Sequence, residues 1–125
     1  MEDLQGKVAV VTGGGSGIGR GIALAAAREG MHVVLADIEL EAAETVAREV
    51  AAQEVECLAV QADVSTLSSM EELADRTFDR FGAVHLLCNN AGVFTLGALT
   101  EATEADWDWL WRVNVMGVVH GQQAF

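Results

Sequence analysis

Four short apolar runs, each followed by a helical pattern, constrain this chain more than any other feature. The runs are VAVVT (Val8–Thr12), HVVLAD (His32–Asp37), CLAVQAD (Cys57–Asp63) and VHLLCNN (Val84–Asn90). Their hydrophobicity hardly alternates, which suits strands buried on both faces, as in a parallel sheet. Between them, Ile18, Ile22, Ala25 and Ala26 share one helical face, with Gly30 as a stop. Ala43, Val46, Ala47 and Val50 form a second stripe. Met70, Leu73, Ala74, Thr77, Phe78 and Phe81 form a third, ended by Gly82. Ser68 and Ser69 each stand three residues before a glutamate, a capping-box pattern. A fourth helix is expected after Thr103, with Trp107, Leu110, Trp111, Asn114 and Val118 on one face. The β-α-β-α-β-α-β-α order predicts right-handed βαβ units and an α/β, doubly wound parallel sheet covered by helices. No linker or repeat interrupts it, so residues 1–125 read as one domain.

The turn between the first strand and the first helix is unusual. Residues 12–21 read TGGGSGIGRG, and six of the ten are glycine. The general dinucleotide fingerprint G-x-G-x-x-G fits at no register, because Ile18 or Arg20 stands where its third glycine is required. The phosphate loop G-x-x-x-x-G-K-[ST] fails as well, because Arg20 and Gly21 follow Gly19. The position still points to a ligand bearing phosphate. Doubly wound sheets bind such ligands at this turn, glycines allow close backbone approach, and a helix beginning near Gly17 aims free N–H groups at an anion. Asp37 ends the second run, 18 residues after Gly19. An acid there can accept hydrogen bonds from the ribose hydroxyls of an adenosine.

Charge and composition exclude other classes. The net charge is −12, with only seven Lys plus Arg, so neither nucleic acid nor an anionic membrane is an expected partner. No stretch has the length and apolarity of a membrane span, and MEDLQG at the start is not a secretory signal; a cytoplasmic protein is expected. Cys57 and Cys88 fit no metal or redox spacing and are expected to be reduced core residues. His32, His85 and His120 are scattered, so no metal site is expected. The acidic run ELEAAE at residues 39–44 suits the first turn of a solvated helix.

Four ordered motifs resemble the short-chain dehydrogenase/reductase family. TGGGSGIG matches that family's cofactor loop TGxxxGxG at Thr12, Gly13, Gly17 and Gly19. Ala62–Val64 resembles its D-V segment, NNAG (Asn89–Gly92) the signature after its fourth strand, and VNVMG (Val113–Gly117) its V-N-x-x-G segment. The resemblance implies an NAD-dependent oxidoreductase that moves a hydride between a nicotinamide and a carbonyl or secondary alcohol. By the same resemblance, Gly13, Ser16, Gly17, Ile18 and Gly19 would wrap the pyrophosphate and the adenosine ribose. Asp37 would take the ribose hydroxyls. Asp63 and Val64 would meet the adenine, and Asn90, Ala91 and Gly92 would line the adenosine side and brace the sheet. Asn114 would be the Asn of the catalytic Asn-Ser-Tyr-Lys set, kinking its helix and helping to order a water. NADP enzymes of the family carry a basic residue where this chain has Ser16 or Ile38, so NAD is the expected cofactor.

The sequence departs from the family at the other catalytic positions. It contains no tyrosine, and its one lysine is Lys7, ahead of the first strand. The family's Ser and Tyr-x-x-x-Lys lie C-terminal to the Asn segment. The chain is therefore expected to be the N-terminal, cofactor-binding half of a longer enzyme, without turnover by itself and either prone to associate along the edge at Val84–Asn90 or unstable. The alternative is an NAD-binding module with no catalytic role. A Rossmann-like methyltransferase shares the strand-end acid but leaves NNAG and V-N-x-x-G unexplained. Trp109 is expected off the core stripe shared by Trp107 and Trp111. That placement, with the family's habit, suggests a homo-oligomer, dimer or tetramer.

Overall fold

The structure, a computed structural model, describes residues 3–125. Four parallel strands form one sheet: β1 (Val8–Thr12), β2 (His32–Asp37), β3 (Cys57–Gln61) and β4 (Leu86–Cys88). Their spatial order is β3-β2-β1-β4. Val8 stands opposite His32, Val33 opposite Cys57, and Ala9 opposite Leu86. The sheet grows outward from β1 in both directions, so the point where the order reverses lies beside β1. The ends of β1 and β4 flank a crevice there, the place where sheets of this kind hold ligands.

The helices between strands are α1 (Gly17–Arg28), α2 (Leu40–Ala51) and α3 (Leu67–Phe81). After β4 come a short 3₁₀ turn (Leu99–Glu101), α4 (Glu104–Trp111), a π-helical segment (Arg112–Met116) and α5 (Gly117–Ala124). The pleat divides the strands between two cores. Ala9, Val11, Val33 and Leu35 pack on α1 and α2 through Ala23, Ala27, Ala43, Val46 and Val50. Val8, Val10, Val34, Ala36 and Val60 face the other way, onto Met70 and Leu73 of α3 and onto Phe125. Each fully buried Val, Leu or Met side chain contributes roughly 1.5–3 kcal/mol. The doubly wound α/β architecture expected from the run pattern is the one observed.

Three local expectations are corrected. The buried face of α1 is Gly19, Ala23, Ala26 and Ala27, while Ile18 is 77 % exposed and Ala25 is on the surface. Helix α1 lies against the sheet through its smallest residues, and the large Ile18 is left exposed. The capping serines of α3 are not used. Thr66 occupies the N-cap position, and Ser69 Oγ instead accepts from the Asp63 N–H at 2.8 Å. The tryptophan stripe is not a core stripe: Trp107, Trp109 and Trp111 are all exposed. The π-helical segment that follows them shifts the helical register, so Asn114 and Val118 no longer continue their face. Thr103 does open α4, with a full capping box: Asp106 N–H donates to its hydroxyl, and the Asp106 carboxylate accepts from the Thr103 N–H.

Candidate functional site: a glycine loop braced by the fourth strand

The residues of the glycine loop differ in what makes them glycine. Gly13 and Gly17 have φ of +64° and +54°, a left-handed backbone that suits only glycine well. At Gly13 a Cβ would also lie 3.0 Å from the Cα of Ala91. Around Gly17 there is open space. Gly14, Gly15 and Gly19 have ordinary φ and are glycine for lack of room. A Cβ on Gly14 would be 2.6 Å from Leu35 Cδ2, and one on Gly19 would overlap the carbonyl oxygen of Gly13. The loop is therefore folded tightly on itself at one end and open at the other.

The open end is the start of α1. Ser16 is its N-cap residue, extended at φ −162°, and its hydroxyl makes no capping bond. No acidic residue stands in the first turn. No acidic residue of the helix itself offsets the positive end of its dipole, and Ile18 in the first turn is exposed. The residues fit a phosphate-bearing group: an open cradle of backbone, an uncommitted hydroxyl and a helix N-terminus.

Asp37 is built into the opposite wall. Its Oδ2 accepts from the Gly15 N–H at 2.9 Å, and its Oδ1 accepts from the Glu39 N–H at 3.0 Å. Two backbone donors thus fix the carboxylate in place at the end of β2. The nearest cation to the loop in sequence is committed elsewhere, and Arg48 donates to the Thr45 hydroxyl at 3.3 Å. Arg20 is ion-paired with Glu49, its Nε donating to Oε1 at 3.2 Å, and this hydrogen bond holds the Glu49 carboxyl below its ordinary range. Next to Asp37, Ile38 is 63 % exposed and borders a shallow depression with Glu39, Glu41, Thr45 and Gln61. The acidity of that patch opposes a second anionic group beside Asp37.

Asn90, Ala91 and Thr12 form the floor. The Thr12 hydroxyl accepts from the N–H groups of Asn90 and Ala91, each at 3.0 Å, and donates to the Cys88 carbonyl at 3.4 Å. The Asn90 Nδ2 donates to the carbonyls of Thr12 at 3.0 Å and Gly13 at 3.4 Å. NNAG thus clamps the glycine loop to the end of β4. Thr12, only 1 % exposed, is the hub of this clamp. Its sequence signal was its place in the TGxxxGxG match, but a threonine ending a strand otherwise reads as simple β propensity.

The remaining candidates lie along the same rim. The Oδ1 of Asp63 accepts from the N–H and hydroxyl of Ser65, at 2.9 and 2.6 Å. Val64 is buried, its methyls against Gly117 and its carbonyl 2.7 Å from His120 Nδ1. Any ligand contact there falls to Asp63 and the backbone. Gly92 faces Asn114, whose Oδ1 would be 3.3 Å from a Cβ at that position. Asn114 lies within the π-helical segment. Its Oδ1 accepts from the Val93 N–H and its Nδ2 donates to the Val93 carbonyl, both at 2.8 Å. The amide thus pairs with Val93 as a neighbouring strand would, tying the segment after NNAG to the helix. The thiols stand apart from this chemistry: both are free, and burial pushes that of Cys57 up to about 12. Among the described residues no group of His, Cys, Asp and Glu is arranged to hold a metal, and no helix is long and apolar enough to cross a membrane.

Comparison with known proteins agrees with this geometry. The family described as short chain dehydrogenase matches residues 7–125. A sorbitol dehydrogenase from Cereibacter sphaeroides is 39 % identical over 97 % of this chain and 46 % of its own length. A crystal structure of a short chain dehydrogenase/reductase from Burkholderia phymatum in complex with NAD is 46 % identical. It covers all of this chain and 44 % of that one, with a TM-score of 0.95. An alcohol dehydrogenase from the archaeon Thermococcus sibiricus, complexed with 5-hydroxy-NADP, is 36 % identical over 97 % of this chain and 52 % of its own, with a TM-score of 0.92. The chain spans about half the length of the curated relatives it matches.

Proposed function

This chain belongs to the short-chain dehydrogenase/reductase family of oxidoreductases, and from that membership we propose that residues 1–125 form the NAD-holding part of a longer single-domain enzyme acting on a carbonyl or secondary alcohol. The observation that carries the cofactor choice is Asp37, whose carboxylate two backbone N–H groups hold at the end of β2, while Arg20, the nearest cation along the chain, is ion-paired with Glu49. Bound there, a nicotinamide cofactor supplies the hydride donor or acceptor. The chain's own residues bind and orient it. Gly13, Ser16, Gly17, Ile18 and Gly19 form the cradle for its pyrophosphate, and Asp37 and Ile38 meet the adenosine ribose. Asp63 and the backbone of Val64 border the adenine. Asn90, Ala91 and Gly92 hold the loop and the floor in register. Asn114 keeps the segment after Gly92 fixed against the helix.

NADP carries an additional phosphate at the ribose. Two unit charges about 4 Å apart repel by roughly 4 kcal/mol at an effective dielectric near 20. Solvent screening that halves this still leaves more than tenfold preference for NAD. Calorimetric dissociation constants for NAD and NADP on the full-length protein test the assignment. NAD is expected to bind at least about tenfold tighter, and Asp37→Ala to narrow the gap. Equal or tighter NADP binding by the unmodified protein would overturn it.

A second reading, an NAD-binding module without turnover, is favoured by one observation. These 125 residues contain no tyrosine, and Lys7 precedes β1, at the end of the sheet away from the glycine loop. A Ser followed by Tyr-x-x-x-Lys in the remainder of the coding region separates the two readings. The exposed band of Phe94, Leu96, Leu99, Trp107, Trp109 and Trp111 supports a homo-oligomer, which the solution mass of the full-length protein tests.

A further inference from the structure

Gly15 is neither one of the loop's left-handed residues nor one of its family-motif glycines, and it has no backbone reason to be glycine. What it has is crowding from three sides. A Cβ there would lie 2.8 Å from the Oδ2 of Asp37, 2.9 Å from the Cβ of Ala42 and 3.1 Å from the N of Ala43. Two of those neighbours belong to the first turns of α2 and are not free ends of flexible side chains. The Asp37 carboxylate is the group that yields most easily, and the Ala42 methyl, also under 3.0 Å, must give with it. That same carboxylate accepts from the Gly15 N–H at 2.9 Å. Gly15 therefore sits where its missing side chain and its N–H together define the position of the acid.

We infer that Gly15 is a specificity-determining residue: it positions Asp37, and through Asp37 it sets the preference for an unphosphorylated adenosine ribose. This rests on the NAD reading above. A methyl at residue 15 displaces the carboxylate and breaks or lengthens the bond from the Gly15 N–H. The carboxylate then keeps only the Glu39 N–H as a fixed partner and swings toward solvent. Contact with ribose hydroxyls weakens, and so does repulsion of a ribose phosphate. The two effects move the affinities for NAD and NADP in opposite directions. General damage to the loop lowers both together.

The experiment measures NAD and NADP dissociation constants by calorimetry on the full-length protein and on Gly15→Ala, Asp37→Ala and the double variant. Gly14→Ala is the control for loop damage, since its Cβ would meet Leu35 and the Val11 carbonyl rather than Asp37. Gly15→Ala is expected to lower the NAD-to-NADP preference about tenfold, the order of one hydrogen bond to a charged group. In the Asp37→Ala background the same change is expected to leave the ratio unaltered, because the group it acts through is gone. Gly14→Ala is expected to weaken both cofactors by a common factor. A Gly15→Ala ratio equal to that of the unmodified protein, or an unchanged effect in the Asp37→Ala background, overturns the inference while leaving the NAD reading intact. An unmodified protein that binds neither cofactor, or prefers NADP, overturns the NAD reading and this inference with it. A measurement needing no change at residue 15 covers the case in which the variant does not fold. Amide exchange at Gly15 is expected to accelerate in Asp37→Ala, and an unaltered rate overturns the inference.

Discussion

Replacing Thr12 by valine tests whether the clamp between the glycine loop and β4 is made by a hydroxyl or by packing. The two side chains have nearly the same shape, so Thr12→Val creates neither a large cavity nor a clash. It removes an acceptor used by the N–H groups of Asn90 and Ala91, each at 3.0 Å, and a donor to the Cys88 carbonyl. A buried N–H left without a partner costs about 1–3 kcal/mol. The Asn90 N–H keeps a second partner, the Cys88 carbonyl at 2.9 Å, so the cost falls on the Ala91 N–H alone, about 1–3 kcal/mol. Thr12→Ser deletes one methyl and keeps the hydroxyl, a loss of about 1 kcal/mol by analogy with removal of a single core methyl. Strand propensity and apolar burial both favour valine at this buried position, so by themselves they predict the order Val, Thr, Ser. The clamp predicts Thr, Ser, Val. Urea unfolding of the three full-length proteins, compared by midpoint at a common slope, decides between them. A valine variant as stable as the serine variant or more so would refute the reasoning.

Asn114→Ala removes both hydrogen bonds to Val93, and net bonds of about 0.5–1.5 kcal/mol each imply amide exchange at Val93 faster by about 10–100-fold with little change in global stability; an unchanged exchange rate contradicts the pairing. Asn114→Asp keeps the acceptor and loses the donor, so it is expected to fall between the two. Burial raises the Cys57 thiol from 9.0 to about 12, so its ionisation favours the unfolded chain at alkaline pH. The stability this thiol contributes is complete below pH 9.0 and lost as pH rises toward about 12, a loss that a Cys57→Ala variant should not show in the same window. Native Cys57 is likewise expected to resist alkylation near pH 8 and to react once the chain is unfolded.

The sequence carried the fold well where strands are buried on both faces. The runs at Val8–Thr12 and His32–Asp37 are the observed β1 and β2, because a strand flanked by two partners and two helical layers admits no polar residue inside it. The run at Val84–Asn90 shrinks to Leu86–Cys88, since β4 has one strand partner and Leu86 is partly exposed. The buried face of α1 departs from the periodic pattern for a physical reason. Periodicity weighs residues by hydrophobic size, and Gly19, Ala23, Ala26 and Ala27 carry almost none, although small size is what lets α1 approach the sheet. The tryptophans misled because a period of 3.6 presumes an unbroken helix, and the bulge at Arg112–Met116 leaves no mark in composition. In the site, the loop and Asp37 were legible from spacing. The roles of Thr12 and Gly15 were not, because each depends on contacts between segments that only the folded chain brings together.

The clamp joins residues far apart in the chain: Thr12 and Asn90 are 78 positions from one another. At about 5–20 residues per second, a ribosome takes roughly 4–16 s to add that many residues. Closing such a span in an otherwise unordered chain costs about 4 kcal/mol by the logarithmic dependence on loop length, so the waiting loop has little means of adopting its clamped form early. The glycine loop is thus among the first parts of the chain to be made, and it waits for the fourth strand before the clamp can form. A nascent chain interrupted before Asn90 has every loop glycine and the bonds from Gly14 and Gly15 to the end of β2, but not the clamp from the fourth strand.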